Sequence, residues 1–436
     1  MNLNKIISGK HSQSFVGQLI SAGIAVLSFM VLARSFSKID FGQWILYLSL
    51  LTFFEMIKAG MVQSAFIKYA SGSSGKGFNR LQGSSWFLNI VVTSVVSSVC
   101  LIIYFLDFFE APGIVSFLLF YPLYGFVSMP FQYFLWNSQI KLKFNYLAFG
   151  RIVNVFLFLL VSIFSVFFEV SIQELAIFHL LVFVICSIVA LIIKGTGVRN
   201  IVLADVPTIK KYWNFGRYHS LAFLGSNLLK SSDTFIIGGL LGPIYIAIYA
   251  IPLRLVEIIE LPLRASTSVA FPVFSNHDNN KDRISLKTTL EKYLGVLTLL
   301  YIPFMTVLFI FSDYLVLLIG GEKYADTGVI FRLFVIYGLF LPFDRFTGVV
   351  LDAMGYPRLN FYKVALMASI NIIGDVIVLY FFRSIEMVAL VTIVNVLFGA
   401  IVGFYLVKKK LNITVLSIYS LGLASIKQSI NHFKFL

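Results

Sequence analysis

The feature that most constrains this chain is a recurrence: apolar stretches, separated by short polar turns, run along nearly its whole length. Each is about twenty residues long, enough to cross the ~30 Å hydrocarbon core of a bilayer as a helix. In lipid every backbone N–H and C=O must be satisfied internally, so only helices and closed barrels qualify. The runs are too long and too continuously apolar for barrel strands. Of the 436 residues, 59% are hydrophobic and 12% charged. Ordinary globular chains carry roughly 25% charge, so a soluble domain is excluded. Spans are expected at 13–33, 42–66, 84–106, 113–136, 146–168, 172–193, 216–241, 244–270, 293–320, 328–351, 361–382 and 387–407. The first, from Phe15 to Ala33, lacks a signal-peptide cleavage site and is read as a retained helix.

In a soluble protein the formal net charge of +14 would point to nucleic acid. Here the loops account for it. With the N terminus inside, Lys68, Lys76, Arg80, Lys141, Lys143, Lys194, Arg199, Lys281, Arg283, Lys287, Lys292, Arg358, Lys363, Lys408, Lys409 and Lys410 fall on the cytoplasmic side. Arg34, Lys38, Lys323 and Arg383 fall on the other. This is the positive-inside pattern, and it places both termini in the cytoplasm with no nucleic-acid partner. Residues 411–436 mix apolar and polar side chains and read as an amphipathic tail on the cytoplasmic face.

A repeat lies under the spans. The shift that lays Glu55 on Glu260 also carries Ser14, Gln18, Ser21 and Ser28 onto His219, Phe223, Ser226 and Asp233. Lys58 then falls on Leu263, beside Arg264. The expected fold is an all-α integral membrane protein of about twelve transmembrane helices in two pseudo-symmetric six-helix bundles. The lobes are residues 1–205 and 206–410, followed by the tail.

Charges sit inside these spans. The cations are Lys58, Lys230, Arg254, Arg264 and Arg345; the acids are Glu55, Asp233, Glu257, Glu260, Asp344 and Asp375. Each costs ~2.5–3.5 kcal/mol at the centre of a lone helix, so each is expected to face protein or a hydrated cavity. Arg254, Glu257, Glu260 and Arg264 fit a wedge of about 120° on one helix. Two readings stand: ion pairs that glue helices, or a central hydrated cavity. Charged positions on repeat-related helices favour the cavity. Strong cations there suit a substrate carrying phosphate. The acids either hold those cations or take up a coupling ion, H+ or Na+.

No Walker A loop, HExxH, GxSxG or Cys/His cluster is present. Cys100 and Cys186 lie in apolar segments and read as core residues. No catalytic residue, metal or cofactor is expected, and the short outer loops leave no room for a catalytic domain.

Three stretches carry a family likeness. Leu32-Ala33-Arg34-Ser35-Phe36-Ser37-Lys38-Ile39-Asp40-Phe41-Gly42-Gln43-Trp44 resembles the first hairpin of the polysaccharide (O-antigen, Wzx-type) flippases of the multidrug/oligosaccharidyl-lipid/polysaccharide (MOP) exporter superfamily. The run from Asp233 to Gly242, followed by Ile248-Tyr249-Ala250, resembles its span 7–8 hairpin, with Ile248 where glycine is usual. Met354-Gly355-Tyr356-Pro357 resembles the turn after span 10. The likeness covers residues 10–408. It implies two six-helix lobes in a V that work by alternating access. It also implies an undecaprenyl-pyrophosphate-linked oligosaccharide moved between leaflets of the bacterial inner membrane, with membrane lipid and the pathway's polymerase and chain-length proteins as partners. Two other classes stay in view: a proton- or sodium-coupled drug antiporter using Glu55, Asp233 or Asp375, and a membrane polysaccharide polymerase.

Overall fold

A computed structural model describes the backbone of residues 10–193 and 195–434, with side chains for 17–193, 195–221, 224 and 231–428. All its regular elements are helical. The chain divides into two compact units, Met1–Ser231 and Ser232–Leu436.

The first unit begins with α1 (Lys10–Ser35) and α2 (Lys38–Lys58). The tight turn between them is set by Ser37, which caps α2 by accepting from Asp40 N at 3.1 Å. A π turn over Ala59–Gln63 joins α2 to α3 (Ser64–Ala70). After α4 (Gly75–Phe105) come α5 (Pro112–Val127) and α6 (Met129–Ile140), bent by 50° at Ser128. Pro130 has no N–H to return to the carbonyl four residues back, so the helix breaks there. Then follow α7 (Phe144–Phe167) and α8 (Ile172–Ile192). Ser171 and Glu174 form a reciprocal capping box at the start of α8. A 3-10 turn at Val198–Leu203 leads into α9 (Val206–Leu240), which runs on into the second unit.

The second unit continues with α10 (Pro243–Asn279), α11 (Arg283–Ile310), α12 (Ser312–Gly320), a 3-10 turn (Glu322–Thr327), α13 (Gly328–Ala353), α14 (Pro357–Phe382), α15 (Ile385–Leu411) and α16 (Val415–Lys434). Proline stands in the first turn of α5, α10 and α14, where its missing N–H is harmless.

Among the described residues nine helices are long and apolar enough to cross a membrane, or ten with the α5–α6 pair taken as one. The protein is therefore a multi-pass membrane protein. The long helices outside that set are α9 and α10, of 35 and 37 residues. Charge on α10 separates it from the others: it holds Arg254, Glu257, Glu260 and Arg264 together with Pro252, Pro262 and Pro272.

Small residues set the closest helix approaches. A methyl on Gly216 of α9 would lie 2.3 Å from Met61 O in the π turn. One on Gly403 of α15 would lie 2.1 Å from Thr347 Oγ1 of α13. The tail helix α16 packs along α11 where Gly422 meets Gly295. A methyl on Gly295 would stand 2.0 Å from Ile418 O.

The segment before α9 is tied to α4. Arg80 Nε lies 2.7 Å from Asp205 Oδ1, and its terminal nitrogen donates to Oδ2 at 2.8 Å. Asp205 also caps α9, accepting from Thr208 N at 3.1 Å. The Arg80 guanidinium, helped by the Thr208 and Ser84 donors, holds the Asp205 carboxyl down at about 2 despite partial desolvation. A carboxyl depressed in the fold stabilises it fully above its ordinary pKa near 4, and that contribution is lost as pH falls through about 2. Arg80→Gln should therefore lower the melting temperature in detergent at neutral pH. The gap to wild type should narrow as pH is taken down from about 5. A gap unchanged across that range would remove the link from the stability of the fold.

Candidate functional site

The charges expected inside the spans fall into separate networks, one in the first unit and several in the second. In the first, Lys58 is 1% exposed. Its Nζ donates to Glu55 Oε1 at 2.9 Å and to Gly125 O at 3.3 Å. That carbonyl is available because the α5–α6 bend leaves the last carbonyls of α5 without helical partners. Glu55 also accepts from Gln132 Nε2 at 2.7 Å and from Tyr121 OH at 3.5 Å.

The second unit holds a comparable group. Glu260 accepts from Arg264 one turn along α10 at 2.6 Å and from Tyr337 OH of α13 at 3.2 Å. In both units, then, a glutamate takes a cation from its own helix and a tyrosine hydroxyl from another. The exposure differs. Arg345 of α13 also reaches Glu260 Oε1 at 3.2 Å, and the side chains of Arg264 and Arg345 are 55% and 41% exposed. Lys58 is sealed; these two arginine side chains are partly exposed. Arg254 pairs with the exposed Glu257 at 2.5 Å on the same helix.

Asp233 and Asp375 form a third group. Asn371 Nδ2 donates to Asp233 Oδ1 at 2.8 Å and to Asp375 Oδ2 at 3.0 Å. Tyr249 OH donates to Asp233 Oδ2 at 2.7 Å, and Asn395 Nδ2 to Asn371 Oδ1 at 3.1 Å. Asp375 is fully buried, and its Oδ1 has no partner among the described residues. Two carboxylates thus share one amide with an oxygen to spare.

Asp344 departs most from expectation. Its partner is Lys363, placed by the charge count among the cytoplasmic loop cations. The structure corrects that: Lys363 lies inside α14, 3% exposed, and Nζ meets Asp344 Oδ1 at 2.7 Å and Asp344 O at 2.9 Å. Gly399 makes room for this pair, since a methyl there would lie 2.7 Å from Asp344 Oδ1. Lys230, with Ser14, Phe223 and Ser226 of the repeat stripe, lies outside the described side chains.

Sequence reading missed the neutral members: Tyr121, Gln132, Tyr249, Tyr337, Asn371 and Asn395. One signal was present. Asn371 and Asp375 stand at i, i+4 in an apolar span and share a face.

A family model described as polysaccharide biosynthesis protein matches residues 31–328. The teichuronic acid biosynthesis protein TuaB of Bacillus subtilis (strain 168) is 25% identical over 212 residues, 48% of this chain. That match spans 44% of TuaB, less than half of its length. Among solved structures, the lipid II flippase MurJ in an inward closed conformation aligns with a TM-score of 0.76 at 14% identity, over 95% of this chain and 90% of that one. A MATE family multidrug resistance transporter of the MOP superfamily, inward-facing, aligns with 0.75 at 13% identity, over 92% and 98%. At these identities the solved structures show a shared fold.

The Asp344–Lys363 pair generates a prediction. Breaking a buried pair from one side leaves an uncompensated charge and costs ~3–5 kcal/mol, whereas replacing both partners by apolar groups is often near neutral. Lys363→Met and Asp344→Leu should each lower the melting temperature in detergent sharply, and the double variant should recover most of the loss. Additive losses would mean the pair does not act as a unit.

Proposed function

The chain belongs to the polysaccharide biosynthesis protein family, and from that membership we propose that it is a flippase for a lipid-linked oligosaccharide. The substrate we assign is an undecaprenyl-pyrophosphate-linked repeat unit, carried from the inner to the outer leaflet of the bacterial inner membrane by alternating access. The work is transport, without covalent chemistry on the sugar.

The observation that supports this most is the Glu260 fork. One carboxylate holds Arg264 and Arg345 while leaving much of each side chain exposed. Arginine presents planar paired donors that match phosphate oxygens, and charge-assisted bonds of this kind are roughly twice as strong as neutral ones. We assign Arg264 and Arg345 to the pyrophosphate, with Arg254 and Lys230 as further cations for the same anion. Lys58 and its partner Glu55 hold helices. The polyprenyl tail stays in lipid, where its burial is already satisfied.

The Asp233–Asn371–Asp375 group is our candidate for ion coupling. Two carboxylates sharing one amide repel each other unless a proton or a cation intervenes. Sodium is the alternative to a proton, since the Asp233 and Asp375 carboxylates offer the hard oxygen atoms such a cation takes.

Arg264→Ala with Arg345→Ala should reduce surface polysaccharide at least about tenfold, the effect of losing more than 1.4 kcal/mol of anion binding. Lipid-linked repeat units should accumulate on the cytoplasmic leaflet at normal protein level. Unchanged surface polysaccharide would overturn the assignment, and a broad drug-sensitivity phenotype with intact glycan would favour an antiporter. In vesicles, Asp375→Asn should abolish the dependence of flipping on a proton or sodium gradient. Wild-type flipping indifferent to both gradients would end the coupling role.

A further inference from the structure

Five polar side chains follow one face of α4: Gln82, Ser85, Asn89, Thr93 and Ser97, spaced by three or four residues. All are buried. The face begins two residues past the exposed Arg80. There Gln82 Nε2 donates to Asn137 Oδ1 at 2.8 Å, and Asn200 Nδ2 donates to Gln82 Oε1 at 2.6 Å. One turn on, Tyr133 OH donates to Ser85 Oγ at 3.1 Å.

Beyond that point the described residues offer fewer partners. Asn89 faces the Tyr133 hydroxyl, yet neither of its amide atoms reaches hydrogen-bonding geometry with a described residue. Thr93 Oγ1 and Ser97 Oγ are buried with no hydrogen bond to the described residues. Thr93 stands against Gly125, where an added methyl would lie 2.7 Å from its own methyl. Gly125 O is the carbonyl that takes Lys58 Nζ. The polar face therefore leads from the Gln82 cluster past Gly125, which takes Lys58, to Ser97.

Dry and unpaired, these buried groups would disfavour the fold. Side chains that merely glue helices pair with one another, as Gln82 and Asn137 do. We propose that this face is a hydration site: ordered water bonded to Asn89, Thr93 and Ser97, inside the first unit and beside the Lys58–Glu55 pair. A buried water needs two to four polar partners, and the face supplies them at successive turns. It gives the buried pair a polar surrounding, so that the pair can separate without stranding a charge in hydrocarbon. The inference does not depend on which substrate the protein moves.

Hydroxyl-radical footprinting by X-ray radiolysis tests it on the wild-type chain, because radicals form at bound water. Tyr133 and Trp86 stack at 4.0 Å beside this face, while Tyr47 and Trp44 are equally buried among aromatic rings. Tyr133 should be modified about tenfold faster than Tyr47, and Trp86 likewise against Trp44, if water bridges buried polar groups here. Equal rates would overturn the proposal.

Discussion

A charge in hydrocarbon must be answered by an opposite charge or by polar groups, and most of the structure follows from meeting that demand. Lys58 and Lys363 are nearly sealed from solvent, and each is met by a carboxylate and a backbone carbonyl. The surrounding architecture is arranged to permit this. The α5–α6 bend exposes the carbonyl that Lys58 needs, and Gly399 clears the space in which Lys363 meets Asp344. Glu260 meets the demand differently, because it balances two arginines whose side chains are partly exposed. On that difference rests our proposal that Lys58 and Lys363 hold helices while Arg264 and Arg345 hold a ligand.

The fold was legible because its driving pattern is long-range and coarse. Twenty-residue apolar runs register in composition alone, and Ser37, Ser171 and Pro357 mark helix starts in the sequence as plainly as in the structure. Glu55 and Glu260, which one shift of the sequence superposes, each take a cation from their own helix and a tyrosine hydroxyl, of Tyr121 or Tyr337, from another. The helix irregularities were not legible. A π turn at Ala59–Gln63 leaves no signature in hydropathy.

The site was legible in its charges and illegible in its pairing. Sequence spacing correctly joins Glu55 to Lys58 and Glu260 to Arg264, because one helix face brings them together. It cannot join Asp344 to Lys363 or Asp233 to Asn371, since those contacts cross between helices whose mutual rotation no single span encodes. Lys363 was misread for the same reason. A lysine near the start of a span looks like a loop cation unless an aspartate on another helix draws it inward. The tyrosines amid so many apolar residues carry no pattern of their own, and of the two asparagines only Asn371, one turn before Asp375, does.

The π turn has a further consequence for how this sequence can vary. Such a turn accommodates one more residue than an α-helix would over the same rise. Deleting a single residue within Ala59–Gln63 would let α2 and α3 run as one regular helix with the residues on either side near their present phase. The same deletion in the regular part of α2 would rotate everything before it by about 100° relative to everything after. The π turn is therefore a point of slack, where a residue can be lost while Lys58 stays at Gly125 and Phe66 keeps its buried seat.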